Sequence, residues 1–262
     1  MKKNKKNYPS PPGYDLNAPV KFKLPAALDE ISGISYYEKD SSLFAINDEK
    51  GLLFKIFLKN PVVIEQWKFS DGGDYEDICL ADSSFFVLKS KGKVERFKFS
   101  GTDTVGLSEV HFPLTGKNEF ETLFLDKKKN KLVIVCKDCE SDKKENITSF
   151  ILDPKTEKID TSFSIDARPA LQHLKLDQKI KPSAGSIHPL TGEIFLISSV
   201  TKALIILTPD FTVKQSFALN PKIFKQLEGL AFNPTGDLYI SNEAAENGGA
   251  DILLFKNKKA HQ

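Results

Sequence analysis

Short runs of alternating apolar and polar residues recur along the chain between polar turns, and they predict β-strands rather than helices. Residues 20–24 and 162–165 alternate in this way, whereas the runs at 85–88 and 132–136 are apolar almost throughout. Each group of runs opens at a Ser or Glu in a related sequence context, and these five residues are Ser32, Glu76, Glu121, Ser183 and Glu228. The pattern predicts a repeated, strand-rich unit.

The spacing of these five residues sets the length of the repeat. It is 44 residues from Ser32 to Glu76, 45 from Glu76 to Glu121 and 45 from Ser183 to Glu228, but 62 from Glu121 to Ser183. Four strands in a unit of this length are typical of a β-propeller blade, because such a sheet buries both faces only by stacking on its neighbours. The sequence predicts an all-β, five-bladed β-propeller, with six blades as the alternative that the long third repeat leaves open.

The two ends of the chain are expected to meet in one blade. The last repeat has room for three strands, and the missing outer strand is predicted at residues 20–24. The domain organisation is then a flexible basic and proline-rich tether at residues 1–13, the propeller at 14–258 and a frayed C-terminus at 259–262.

The charge of the chain disfavours nucleic acid as a partner. The formal net charge of the 262 residues is +2, and four of the 37 Lys and Arg residues lie within the first six positions, so the remainder is close to neutral.

No apolar stretch long enough for a signal peptide or a membrane span follows the basic start. We expect a monomer that meets a membrane only through an N-terminal tether or anchor.

The five repeat residues are expected to converge on the propeller axis. Where the first strand of a blade lines the channel, the start of that strand and the end of the second strand lie on the same face. One mouth of the channel should therefore hold the five side chains, ringed by the loops that follow the second strands. Those loops carry the charged residues that we consider as catalytic candidates: Asp48, Glu49, Lys89, Lys137, Asp138 and Glu243.

Three carboxylates around one axis repel each other. At about 5 Å and an effective dielectric constant of about 20, each pair costs roughly 3 kcal/mol. Either some of the glutamates are protonated, with a raised pKa, or a cation lies among them. Glu76, Glu121 and Glu228 with the hydroxyls of Ser32 and Ser183 form an all-oxygen set of the kind that calcium accepts, whereas zinc prefers nitrogen or sulfur. The alternative is a polar channel lining that bonds to neighbouring amides and water.

Three segments also carry a resemblance to a known family. Residues 28–36, 43–49 and 74–78 look like the SdiA-regulated, or YjiK-like, bacterial propellers, and the likeness extends over nearly the whole chain beyond the tail. This resemblance implies a five-bladed fold and a place in the cell envelope, as a periplasmic protein or an anchored lipoprotein whose signal has been removed, and implies little about activity. A cytoplasmic location is the alternative.

The order Ser, Glu, Glu, Ser, Glu is similar to that of the calcium-activated nucleotidases, or apyrases. In that family the equivalent positions hold one central calcium ion, which by resemblance would fall on Ser32, Glu76, Glu121, Ser183 and Glu228. The nucleotide-binding loops of that family have no counterpart in this sequence. The resemblance therefore supports a metal site more strongly than it supports a nucleotidase reaction.

Three functions remain open on this sequence. The first is a calcium-binding protein that holds a small-molecule or envelope ligand at the channel mouth. The second is a metal-dependent hydrolase of phosphoesters or pyrophosphates, in which the metal polarises an oxygen while a carboxylate orients water. The third is a non-catalytic interaction scaffold with structural calcium.

Cys136 and Cys139 are separated by two residues, in the inserted part of the third repeat. They are interpreted either as a loop disulfide in an oxidising compartment or as ordinary reduced thiols. The third cysteine, Cys79, lies on a predicted inner strand. Three cysteines neither require nor exclude export.

Overall fold

The computed structural model describes residues 8–112, 115–245 and 248–259, which form twenty β-strands, one α-helix and a 3-10 turn. The first strands are β1 (Val20–Lys23), β2 (Ile31–Tyr37), β3 (Ser42–Asn47), β4 (Leu52–Phe57), β5 (Val63–Lys68), β6 (Tyr75–Ala81), β7 (Ser84–Lys89), β8 (Lys93–Ser100) and β9 (Asp103–His111). They are followed by β10 (Asn118–Asp126), β11 (Lys131–Cys139), β12 (Asn146–Asp153), β13 (Lys158–Asp166), α1 (Arg168–Leu174), β14 (Ala184–Ile187), β15 (Ile194–Ser198), β16 (Ala203–Leu207), β17 (Val213–Ala218), β18 (Leu227–Phe232), β19 (Leu238–Asn242) and β20 (Asp251–Phe255).

The described strands form five antiparallel sheets of four strands each. Four sheets use consecutive strands, β2 to β5, β6 to β9, β10 to β13 and β14 to β17, and we call them blades 1 to 4. Their first strands contact each other in a closed sequence, β2, β6, β10, β14, β18 and back to β2, so these strands surround the central channel. The predicted five-bladed propeller is confirmed. The extra length of the third repeat forms an extended β11 and the helix α1 instead of a sixth blade.

Blade 5 closes the ring with strands from both ends of the chain. Its order is β1-β20-β19-β18, and β1 pairs antiparallel with β20 from Val20 opposite Leu254 to Lys23 opposite Asp251. The predicted closure by an N-terminal strand is confirmed. Without β1, the outer edge of β20 would be unpaired, and β1 supplies its hydrogen-bonding partner.

The predicted tether divides into two parts. Residues 1–7 lie outside the described residues, whereas residues 8–13 contact the propeller. The Lys258 amide donates to the Gly13 carbonyl at 2.8 Å, and the Leu16 amide donates to the Ser10 hydroxyl at 2.8 Å. The helix α1 has seven residues, and the described part of the chain contains no helix long and apolar enough to cross a bilayer.

The hydrophobic core lies between the blades. The described core residues group into five clusters, one at each interface between neighbouring sheets. In β3, Leu43 and Ala45 face blade 5, while Phe44 and Ile46 face blade 2. Because successive side chains of a strand point to opposite faces, a strand buried on both faces is apolar throughout. This explains the nearly continuous apolar runs in the second strands.

Tyr14 packs the N-terminal segment against blades 4 and 5. Its side chain is buried against His188 and Phe195, and its hydroxyl donates to the Gly236 carbonyl at 2.5 Å. We expect Tyr14→Ala to lower the free energy of unfolding by about 3–5 kcal/mol, because a large buried ring is lost. Tyr14→Phe should cost only about 0.5–1.5 kcal/mol, because the ring remains and one hydrogen bond goes. Denaturant unfolding measures both, and equal losses in the two variants would contradict the packing role.

Candidate functional site

The repeat residues share a local backbone irregularity at the start of the channel strands. In β6, Tyr75 pairs with Lys89 and Asp77 pairs with Leu88, so the register skips Glu76. Such a β-bulge turns the extra side chain away from the regular alternation of the strand. Irregularities at the corresponding places in blades 1, 3 and 5 contain Ser32, Glu121 and Glu228. Ser183 directly precedes β14.

Each of the three glutamates follows a residue that is anchored to the preceding blade. The anchoring group is always in the loop after the second strand of that blade. The bonds are Tyr75 amide to Asp48 carbonyl at 2.8 Å, Phe120 amide to Ser90 carbonyl at 2.8 Å and Leu227 amide to Ser199 hydroxyl at 3.0 Å. The glutamates therefore occupy equivalent positions around the axis, on the face where these loops lie.

Glu76, Glu121 and Glu228 lie in one electrostatic environment. Burial, and then the negative charge of Glu121, raise the pKa of Glu76 to about 9. Burial and the same neighbour hold the pKa of Glu228 well above its ordinary value, and burial raises the pKa of Glu121. The three carboxylates do not belong to any described group whose ligand atoms all lie within 4.8 Å of one another. The charge of Glu121 therefore acts on the other two carboxylates, although the oxygen atoms of the three do not form one group within 4.8 Å.

Lys137 brings a positive charge to these carboxylates. Its ammonium forms an ion pair with Glu121, and its charge lowers the pKa of both Glu76 and Glu228. Burial alone lowers the pKa of Lys137, but the facing carboxylates, Glu121 foremost, raise it overall. The sequence placed Lys137 among the catalytic candidates. In the structure it is a counter-ion of the three glutamates.

The two serines of the predicted set are buried. The Ser183 hydroxyl accepts a hydrogen bond from the Ser199 amide at 3.2 Å, and the Ser32 carbonyl accepts one from the Ser241 hydroxyl at 3.4 Å. The residues at the five positions offer only oxygen, which is the donor chemistry of calcium and not of zinc. The donor set is thus suited to a hard cation, with Lys137 as a competitor for the same carboxylates.

Two of the six catalytic candidates add further carboxylates near the three glutamates. Burial, followed by the charges of Asp48 and Glu30, raises the pKa of Glu243 to about 7. Burial and the charges of Glu30 and Glu49 raise the pKa of Asp48. One oxygen of Asp48 is buried and accepts no hydrogen bond. The mouth therefore carries acids beyond the central three.

Three other catalytic candidates pair with residues other than the three glutamates. Lys89 forms an ion pair with Glu95 at 2.5 Å and lies over the ring of Tyr75, with its ammonium 4.7 Å from the centroid. Asp138 forms ion pairs of 2.8 Å with Lys179 and 2.7 Å with Lys181. The Glu49 amide donates to the Asn47 side chain in its turn.

Cys136 and Cys139 form a disulfide, so the interpretation as a loop bridge applies in this structure. The Asp142 carboxylate lies within 4.8 Å of both sulfur atoms. A metal bound there would require thiolates, and both sulfurs are engaged in the bridge. This group does not fit a metal in the oxidised form.

Asp77 is a buried carboxylate that the sequence analysis missed. One of its oxygens accepts from the Ile78 amide at 2.8 Å, and the other accepts from the Leu123 amide of the next blade at 2.7 Å. It therefore connects blades 2 and 3 next to Glu76. An acidic residue inside an apolar strand was the available signal, but its partner is distant in sequence.

The raised pKa values predict how stability depends on pH. Glu76 has a pKa of about 9 in the folded state against an ordinary value of 4.5, so the folded protein binds more protons between these values. The contribution of Glu76 to the free energy of unfolding is fully present below about pH 4.5 and is lost as the pH rises towards 9. We expect the free energy of unfolding, measured with a chelator present, to fall from pH 5 to pH 9. Glu76→Gln should flatten this slope, and a slope that stays the same would contradict the assignment.

Solved structures of low sequence identity share the fold. A glutaminyl cyclase of Myxococcus xanthus aligns with a TM-score of 0.62 and 13% identity, covering 90% of this chain and 94% of that chain. A luciferin-regenerating enzyme aligns with a TM-score of 0.55 and 12% identity over 92% and 97%. A chain of a nidogen/laminin complex aligns with a TM-score of 0.52 and 12% identity over 81% and 72%. At these identities the likeness shows the fold alone.

The sequence itself gives a more direct relation. No curated protein matches the chain significantly. One family model, described as SdiA-regulated, matches residues 10–246, which include blades 1 to 4, three of the four strands of blade 5 and the five repeat residues. The match extends over most of the chain and agrees with the resemblance of its opening segments. The chain therefore belongs to the SdiA-regulated family.

Proposed function

We propose that this protein is a calcium-binding β-propeller of the bacterial cell envelope, with a ligand site at the channel mouth. The cation is held by Ser32, Glu76, Glu121, Ser183 and Glu228. One observation carries the proposal: three largely buried glutamates occupy equivalent bulges around one axis, and the charge of Glu121 raises the pKa of the other two.

The balance of charge supports a cation at this place. Lys137 pairs directly with one glutamate of the ring, Glu121, and also with Glu119 outside the ring at 3.9 Å. The charges of Lys181 and Lys202 also favour ionised Glu121 and Glu228, respectively, but the pKa of both glutamates stays raised. A divalent ion adds the charge that the ring lacks, and calcium tolerates the irregular, oxygen-only geometry of residues from five blades.

Thermal melting and calorimetric titration with calcium test this proposal. A ligand that binds only the folded state stabilises it by about 2.7 kcal/mol at a hundred times its Kd, which raises the Tm of a chain of this size by about 5–10 °C. We expect this rise with calcium and its reversal by a chelator. The smaller magnesium ion, which demands regular octahedral geometry, should give less.

Matched variants separate the site from general effects. Glu76→Gln combined with Glu121→Gln should abolish the calcium-dependent rise in Tm. Glu65→Gln, on the exposed face of β5, should keep it. Saturable calcium binding that survives in the double variant, or the absence of binding to the wild-type protein, would refute the proposal.

The envelope location has separate support. Disulfides persist in oxidising compartments such as the periplasm and are rare in the cytosol, and Cys136 and Cys139 are bridged. Fractionation of cells, with thiol labelling of the two cysteines before lysis, tests this part. Reduced cysteines in a cytosolic fraction would contradict it.

Metal-dependent hydrolysis of a phosphoester or pyrophosphate is a second candidate function. Glu243 favours it, because its pKa of about 7 matches that of a general base at neutral pH and the charge of Glu121 reaches it. Lys137, the ion-pair partner of Glu121, is the basic group of the site that suits a phosphate. A phosphate-release screen with calcium present tests this candidate, and turnover that survives Glu243→Gln would exclude that residue as the base.

A further inference from the structure

The disulfide encloses the residue that neutralises the ring. Cys136 and Cys139 lie at the end of β11, and the two residues between them are Lys137 and Asp138. Lys137 forms the ion pair with Glu121, whereas Asp138 forms ion pairs with Lys179 and Lys181. The bridge therefore spans one residue directed at the carboxylates and one directed at the segment before blade 4.

The pairing of β10 with β11 shows why the bridge affects Lys137. The register passes from Glu119 opposite Asp138 to Phe120 opposite Cys136, which skips Lys137. It then skips Glu121 before Thr122. The two members of the ion pair are thus the two residues that the ladder leaves out. Lys137 has no ladder partner of its own, so the covalent link between Cys136 and Cys139 restrains its backbone in addition to the ladder pairs of Cys136 and Asp138.

The other side of the bridged turn is fixed by hydrogen bonds. The Asp142 amide donates to the Cys139 carbonyl at 2.9 Å, and the Asp142 carboxylate accepts from the amide and hydroxyl of Thr148 at 3.0 and 2.5 Å. Cys136 and Cys139 are both buried, but the turn directly after Cys139 is exposed at Glu140 and Ser141. The bridge is therefore covered, and the exposed turn is the nearest part of the surface along the chain.

We propose that the Cys136–Cys139 pair is a redox-responsive site that sets the affinity of the carboxylate ring for its cation, by holding Lys137 among the glutamates. The inference rests on the proposed cation site. A dithiol reductant breaks the S–S bond and leaves two cysteine thiols, while the dithiol gives up two electrons and two protons and becomes a disulfide. Lys137 then regains conformational freedom and competes less with the cation.

The first experiment needs no metal. Lys137 is labelled with an amine-acetylating reagent in the oxidised protein, in dithiothreitol-reduced protein and in the Cys136→Ser/Cys139→Ser variant, and peptides are quantified by mass spectrometry. We expect about five-fold faster labelling of Lys137 in both bridge-free forms, at the lower end of ordinary coupling effects. Lys158, exposed on β13, serves as the internal standard. Equal labelling of Lys137 in all three forms would overturn the proposal.

The second experiment measures calcium binding by calorimetry. The bridge-free forms should bind calcium about tenfold more tightly than the oxidised protein, which is a typical coupling between two sites. In the Lys137→Gln background the bridge should make no difference, since the competing ammonium is gone. A redox effect that persists in that background, or equal affinities of oxidised and bridge-free protein, would overturn the proposal.

The two experiments distinguish this inference from the function on which it rests. If no form binds calcium, the cation site is refuted and the affinity half of the inference falls with it. The labelling experiment then still decides whether the bridge positions Lys137. If the double serine variant does not fold, reduced wild-type protein supplies the bridge-free form in both experiments.

Discussion

Gly33→Ala is expected to destabilise the propeller by about 3 kcal/mol or more, as overpacking of a rigid core does. A Cβ atom at Gly33 would lie 2.0 Å from the Asp77 Oδ1 atom, 2.5 Å from its Cα atom and 2.7 Å from the Ile78 amide nitrogen. Two of these three atoms belong to the backbone of β6, so no side-chain rotation relieves the clash. Denaturant unfolding measures the loss.

Gly106→Ala is the matched control for this change. Gly106 lies on the outer strand β9, and a Cβ atom there meets no atom within 4 Å. We expect this variant to be as stable as the wild-type protein or slightly more stable. A Gly33→Ala protein of wild-type stability would show that blades 1 and 2 do not approach each other as closely at the axis as the structure has them.

Glu228→Gln is expected to have opposite effects with and without calcium. Burial and the charge of Glu121 hold the pKa of Glu228 well above its ordinary value, so ionised Glu228 opposes folding of the cation-free protein. Removing the charge should raise the Tm in a chelator at pH 8, because the repulsion is gone. The same change should weaken calcium binding by about a hundredfold or more, since a charged ligand is lost.

Melting curves at pH 8, with calcium and with chelator, test both halves of this prediction. Glu65→Gln serves again as the control, because it changes the same charge on an exposed strand. A glutamate with a merely structural role would lower the Tm in both conditions when it is replaced. That result would remove Glu228 from the site.

The sequence was sufficient for the repeat and for the five blades. Spacing reveals periodicity directly, and Ser32, Glu76, Glu121, Ser183 and Glu228 open their repeats in a shared context. The apolar second strands were readable because burial of both faces excludes polar residues. The closure by β1 followed from counting strands, since blade 5 lacked one.

The ion-pair partners of the charged residues around these positions could not be predicted from the sequence. Lys137, Lys89 and Asp138 looked alike in sequence as loop residues near a predicted mouth. The structure separates them: Lys137 pairs with Glu121, Lys89 with Glu95, and Asp138 with two lysines near blade 4. A long side chain reaches several partners from one backbone position, so the choice among them depends on bulges and loop paths that short-range patterns do not encode.

The sequence by itself determined the architecture: a β-propeller of repeated four-stranded units, closed by its own N-terminal strand, with acids and hydroxyls once per repeat at the channel. It did so because hydrophobic periodicity and repeat length are local properties of the chain. Only the tertiary structure decided that the register skips Glu121 and Lys137 together, that a disulfide encloses that lysine, and that Asp77 bonds across to the next blade. These are contacts between residues far apart in sequence or displaced by bulges, and their energies depend on distance and burial in the folded protein.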